Sequence, residues 1–274
     1  MKYLFYLFLF PSLNIFSQDA EILYSTGDDM LTKGKLTDAE FNLTKYIEYE
    51  PDSVKGYILR GNTYLLMGKY NKALDDFNKA LKLQPADFRA YQGRGMAYFY
   101  LNNLDSAGAD LSRAFNINPD DLVTLNSLAI IYLTRGDNEN AIKLLNDFIS
   151  SNPDNPDGYK HRGKMKYYLN DSLGALDDMN KAVELDDSRA DLFNSRGAIK
   201  NIIGDYTGAL SDFTKALQLD PENAESYCRA GVAYYYLGDF ENAVRYMEKG
   251  IAINPALSHD VSAYLDESKK KLNK

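Results

Sequence analysis

From Ala20 to Leu257 the pattern of apolar, small and polar positions repeats every 34 residues, seven times and without insertion. Number each repeat from 1 to 34. Position 20 is alanine throughout: Ala39, Ala73, Ala107, Ala141, Ala175, Ala209 and Ala243. Position 8 is always small: Gly27, Gly61, Gly95, Ala129, Gly163, Gly197 and Gly231. Position 15 is glycine or asparagine (Gly34, Gly68, Asn102, Gly136, Asn170, Gly204, Gly238), the mark of a left-handed residue just past a helix end. Position 32 is proline in six repeats and Asp187 in the fifth, and proline cannot extend a helical hydrogen-bond ladder. The spacing predicts a helix A over positions 1–14, a short turn, and a helix B over about 18–31. The two run antiparallel and approach where positions 8 and 20 are small. Aromatic residues at position 4 (Tyr57, Tyr91, Tyr159, Phe193, Tyr227) and position 24 (Phe77, Phe213) fill the space beside them.

These positions closely resemble the tetratricopeptide repeat family, whose pattern has a large residue at 4, Leu-Gly at 7–8, Tyr at 11, Ala at 20, Phe at 24, Ala at 27 and Pro at 32. The resemblance covers the chain from Ala20 to Leu257, in repeats 20–53, 54–87, 88–121, 122–155, 156–189, 190–223 and 224–257. It implies an all-α fold, a right-handed superhelical solenoid of antiparallel helix pairs. The chain departs from the pattern at position 4 (Leu23, Leu125), position 11 (Lys166, Lys200) and position 27 (Tyr46, Phe148, Gly250), which questions local packing there. Residues 258–274 read as one further helix with Val261, Tyr264, Leu265 and Leu272 on one face, a cap for the end of the array.

Two positions vary together. Position 7 is arginine in four repeats (Arg60, Arg94, Arg162, Arg196), and position 23 is aspartate in the same four (Asp76, Asp110, Asp178, Asp212). The fourth repeat has Leu128 and Leu144 instead. Because 7 and 23 face each other across the hairpin, an ion pair inside each of these repeats is expected, a structural feature that favours specificity more than net stability.

At about 100° per residue, positions 4, 7, 8 and 11 of helix A face helix B, and 2, 5, 9 and 13 point the other way. The resemblance implies that this second face lines a groove that takes a peptide segment or helix of a partner protein. Position 13 carries Tyr100, Tyr168 and Tyr236, each following another aromatic residue, and tyrosine suits recognition surfaces. The first ring of each pair is expected in the core and the second in the groove. Position 5 adds Asn126 and Asn194. Lys160 and Lys164, with His161 adjacent and Arg229 two repeats later, form a basic spot suited to an acidic segment. In the series with which some relatives hold a C-terminal carboxylate, this chain reads Lys160, Lys164, Ser195, Glu225 and Arg229. Only the first and last match, so that mode is not expected.

Composition narrows the function further. A net charge of −8 argues against nucleic acid, which is bound by clustered Lys and Arg. Cys228 is the only cysteine, so no internal disulfide is possible. The two histidines, His161 and His259, have no second ligand at metal-binding spacing, and the glycines are explained by packing and capping. No cofactor, metal or enzymatic activity is expected. Lys2, the apolar run Tyr3–Phe10, Pro11 and the small Ser17 make residues 1–17 read as a cleavable signal peptide, with an uncleaved anchor as the alternative, although the run is too short to span a bilayer. No cysteine near residue 17 marks a lipoprotein. The expectation is an exported, periplasmic or secreted scaffold that binds a protein and has no membrane span after cleavage. An accessory subunit or carrier of an envelope assembly or secretion machine, and a regulator of a partner enzyme, remain open alternatives.

Overall fold

The structure, a computed structural model, describes residues 10–273, so the first nine residues of the expected leader lie outside the described residues. Among the described residues there are fifteen α-helices and no strand. They are α1 (Phe10–Thr32), α2 (Leu36–Tyr49), α3 (Val54–Leu66), α4 (Tyr70–Leu83), α5 (Phe88–Tyr100), α6 (Leu104–Ile117), α7 (Leu122–Thr134) and α8 (Asn138–Ser151). The rest are α9 (Pro156–Tyr168), α10 (Ser172–Leu185), α11 (Ala190–Ile202), α12 (Tyr206–Leu219), α13 (Ala224–Tyr236), α14 (Phe240–Ile253) and α15 (Ser258–Leu272). Odd-numbered helices to α13 are the A helices and even-numbered ones the B helices. B helices occupy positions 17–30, one residue earlier than the spacing suggested.

The helix ends have local causes. At position 34 the side chains of Ser53, Asp87, Asp121, Asn155 and Asn223 accept backbone N–H groups at the start of the next A helix. Asn103, Asp171, Asp205 and Asp239 do the same for B helices. Each such cap contributes about 1 kcal/mol. All seven residues at position 15 have positive φ, from 59° at Asn102 to 84° at Gly204. Glycine and asparagine tolerate that conformation at little steric cost.

The chain divides into two compact units, one ending at Asp137 and the other beginning at Asn138. In the first, α1–α2, α3–α4 and α5–α6 are antiparallel hairpins, and each B helix also packs on the next A helix, up to α7. In the second, α9–α10, α11–α12 and α13–α14 pair in the same way, with α8 on α9 and α15 on α13 and α14. The core of each hairpin lies between positions 8, 20 and 24. Every alanine at position 20 is fully buried, as are Leu43, Phe77, Leu111, Leu145, Phe213 and Met247 at position 24. A Cβ on Gly61 would lie 2.8 Å from the Phe77 ring, and one on Gly197 2.8 Å from Phe213. Position 8 is therefore small because the side chain at 24 occupies its space.

The departures at position 27 are compensated across the repeat boundary. Tyr46 is buried and its ring reaches the place where a Cβ on Gly56 would sit, 2.7 Å away. Phe148 stands likewise 3.0 Å from a Cβ on Gly158. Position 3 is glycine only after these two bulky residues; where position 27 is Ala80 or Ala182, position 3 of the next repeat is Ala90 or Leu192.

The C-terminal helix packs through Val261, Tyr264 and Leu265, with Ser268 fully buried and its hydroxyl donating to the Tyr264 carbonyl at 2.6 Å. Leu272, expected on that face, is instead exposed, because the packed face ends at Ser268 one turn earlier.

Candidate partner-binding face

The four arginines at position 7 are structural. Arg60 gives Asp76 two hydrogen bonds of 2.8 and 2.7 Å, and the Arg94–Asp110, Arg162–Asp178 and Arg196–Asp212 pairs are bidentate in the same way, all within one repeat. Each guanidinium also lies over the aromatic ring at position 4, 5.5 to 5.9 Å from its centroid. The remaining nitrogen, Nη1, reaches back to position 25 of the preceding repeat: Thr44, Asn78, Asn146 and Asn180 accept from Arg60, Arg94, Arg162 and Arg196. Lys166 and Lys200, the departures at position 11, place a second cation on Asp178 and Asp212 at 2.9 and 2.8 Å. The apolar replacement in the fourth repeat has Leu128 buried and Leu144 half-buried.

The N-terminal half of the opposite face is largely occupied by bonds between repeats. Lys55 pairs with Glu21 at 2.7 Å, and Gln92 donates to Asp121 and Thr124. Lys160 is not the free cation the sequence suggested: it pairs with Asp157 at 2.8 Å and Asp191 at 3.0 Å. Arg189 closes that network with a bidentate pair to Asp157. Hydrogen bonds from Arg189, then Lys160, hold the Asp157 carboxyl well below the usual carboxylate range. Asn194 is not a groove residue either. It is buried, accepts from the Ser226 hydroxyl and donates to Glu225. Arg229 is half-exposed but paired with Glu225 at 3.0 Å. Asn126, in α7, is half-buried and has no hydrogen-bond partner among the described residues.

Two groups the sequence placed near the groove turn inward. Cys228 is buried, and burial pushes its thiol up to about 11, away from reactivity. Burial, with Lys160 beside it, pushes His161 down to about 4 and keeps it neutral at neutral pH.

The C-terminal half of the face is open. All seven residues at position 13 are exposed. In the first unit Leu66 and Tyr100 are 66% and 51% exposed; in the second, Tyr168, Ile202 and Tyr236 are 49%, 52% and 48%. Position 9 backs them with Met96 and Ile130 in the first unit and with Ala198, Val232 and the exposed Lys164 in the second. Tyr100 stacks on Tyr70 at 5.0 Å and 11°, and Tyr236 stacks on Tyr206 at 4.7 Å and 7°. Tyr236 also meets Tyr264 of α15, hydroxyl to hydroxyl at 3.3 Å. Phe99, Tyr167 and Tyr235, the first rings of the pairs, sit tilted or edge-on against Tyr100, Tyr168 and Tyr236. Such a face offers rigid apolar area and hydroxyl groups to a ligand.

Family models described as tetratricopeptide repeat match residues 54–87, 88–121, 123–155 and 224–257, and one described as TPR repeat matches 201–238. Many solved structures are similar, and three illustrate the likeness. Yeast Tom70 has a TM-score of 0.77 at 21% identity, over 93% of this chain and 54% of that one, so this chain spans about half its length. A tetratricopeptide repeat protein from Parabacteroides merdae has a TM-score of 0.67 at 18% identity, over 92% of this chain and 99% of that one. Pseudomonas aeruginosa pilF has a TM-score of 0.58 at 16% identity, over 80% and 97%. At these identities the likeness shows the fold, an all-α tandem array of antiparallel helix pairs. No curated protein sequence is a match.

Proposed function

This chain belongs to the tetratricopeptide repeat family, and from that premise we propose that it is an exported, non-enzymatic scaffold that holds a segment of a partner protein against positions 9 and 13 of its A helices. The observation that carries this is the recurrence of large exposed apolar or aromatic side chains at position 13, Leu66 and Tyr100 in the first unit and Tyr168, Ile202 and Tyr236 in the second. Solvent exposure of such side chains in the same register of neighbouring repeats within a unit is costly unless something covers them. At position 5, by contrast, Ile58 and Cys228 are buried and Gln92, Lys160 and Asn194 are engaged in bonds between repeats, so the partner's share of the face is its C-terminal half. Export is supported by the leader-like residues 1–17, and no helix among the described residues is long and apolar enough to cross a membrane.

The test is site-specific photo-crosslinking in the full chain, expressed in its native host with its leader. A probe at Ile202 is expected to capture a discrete partner protein, and a probe at the exposed Ser211 of α12 is not. Ile202→Glu should reduce recovery of that partner about ten-fold. Capture from Ser211 alone would overturn the binding face, and full-length protein retained in the cytoplasm would overturn export.

A further inference from the structure

The three tyrosines at position 13 differ in what lies on them. Tyr100 and Tyr236 are each covered on one face by a parallel ring, Tyr70 and Tyr206, which stand at position 17 of the preceding repeat as the first residues of α4 and α12. In the same register for Tyr168 the chain has Asn138, the exposed first residue of α8. The one ring that meets Tyr168 among the described residues is its neighbour Tyr167, tilted at 45° and 5.6 Å, and no ring stacks on it in parallel. One helical turn earlier, Lys164 holds its Nζ 5.9 Å from the Tyr168 centroid. Lys164 is exposed and has no ion-pair partner among the described residues, whereas Lys160, Arg189, Lys200 and Arg229 on the same unit are all paired.

We propose that the place filled by Tyr70 and Tyr206 in the other two repeats is left for the partner at Tyr168: an aromatic side chain that stacks on this ring, with a carboxylate within two residues paired to Lys164. This rests on the binding face proposed above and names the chemistry of its anchor. The chain itself twice fills this register with a parallel ring at 4.7 to 5.0 Å, the offset-stacked arrangement that aromatic quadrupoles favour. A guanidinium could also lie flat on Tyr168, but it would face the charge of Lys164. A carboxylate is favoured by the same charge, which has no ion-pair partner among the described residues.

An unbiased library of displayed 12-residue peptides, panned on the purified full chain, tests this. Enriched peptides are expected to carry Phe, Tyr or Trp with Asp or Glu within two residues. Their affinity should fall at least ten-fold in Asn138→Tyr, which supplies the missing ring from within, and in Lys164→Glu, while Asn138→Ala binds as the unaltered chain does. Peptides that lack a ring, yet are lost with Ile202→Glu, would overturn the aromatic anchor and leave the binding face standing. Peptides indifferent to both Asn138→Tyr and Ile202→Glu, or no enrichment at all, would overturn the face and the anchor with it.

Discussion

Removing the position-7 arginine should cost very different amounts in repeats that otherwise share the pair. In the second repeat Asp76 is 6% exposed and depends on Arg60, whose two hydrogen bonds measure 2.8 and 2.7 Å. Arg60→Leu strands this carboxylate, and breaking a buried pair from one side costs about 3–5 kcal/mol. In the sixth repeat Asp212 is as buried, but Lys200 remains 2.8 Å away when Arg196 is removed. The charge stays compensated, so Arg196→Leu should cost about 2 kcal/mol, in the range of charge-assisted hydrogen bonds. A pH dependence follows for the first variant. Burial already pushes the Asp76 carboxyl above its ordinary value against the pull of Arg60, and without Arg60 it rises further. A carboxyl raised in the folded state favours folding at low pH and loses that contribution as pH rises through its folded value. The deficit of Arg60→Leu should therefore be small near pH 4 and grow by up to about 1.4 kcal/mol per pH unit on the way to pH 7. Because the chain forms two compact units, the assay is hydrogen exchange resolved to α3–α4 and α11–α12 alongside urea unfolding. Equal losses in the two variants, or an Arg60→Leu deficit that ignores pH, would refute the reasoning.

Other expected outcomes concern a histidine and a glycine. His161, pushed from 6.5 to about 4 by burial, is stable as the neutral ring. Its contribution is complete above about pH 6.5 and is lost as pH falls toward 4, by up to about 3 kcal/mol; protection of α9 amides should fall over that window and should not in His161→Leu. Gly56→Ala places a Cβ 2.7 Å from the Tyr46 ring and should cost about 1–3 kcal/mol of stability in denaturant unfolding. Adding Tyr46→Ala recreates the Ala80–Ala90 arrangement, so the double variant should lose less than the sum of the singles; simple additivity would count against the steric account.

Much of this was legible because the repeat carries its own controls. Seven registers of Gly or Asn at position 15 identified the left-handed turns, and the joint variation of Arg60 and Asp76 with its three counterparts identified the ion pairs. What escaped lay across repeat boundaries. Asn78, Asn146 and Asn180 stand at position 25 only before repeats with an arginine at position 7, a pattern invisible when each repeat is read alone. Gly56 and Gly158 follow Tyr46 and Phe148 for the same kind of reason. Position 5 misled because a single helix was considered. Opposite the B helix is not the same as open to solvent when another A helix lies alongside, and Asn194 is buried in that seam against Ser226. Lys160 was read as free because Asp191 comes from the next repeat and Arg189 from the far end of its own.

The backward reach of Nη1 gives the chain a grammar of junctions. An arginine at position 7 must be preceded by an acceptor, as Asn146 precedes Arg162 and Asn180 precedes Arg196. Excising residues 156–189 as a block would leave Asn146 ahead of Arg196, a junction of the kind already present. Excising 88–121 would set Asn78 ahead of Leu128, an amide with no guanidinium to receive. Repeats of one length are thus not interchangeable words: where the array can lose or gain a unit is written in the pairing of position 25 with the next position 7, and that syntax constrains how the array could have grown.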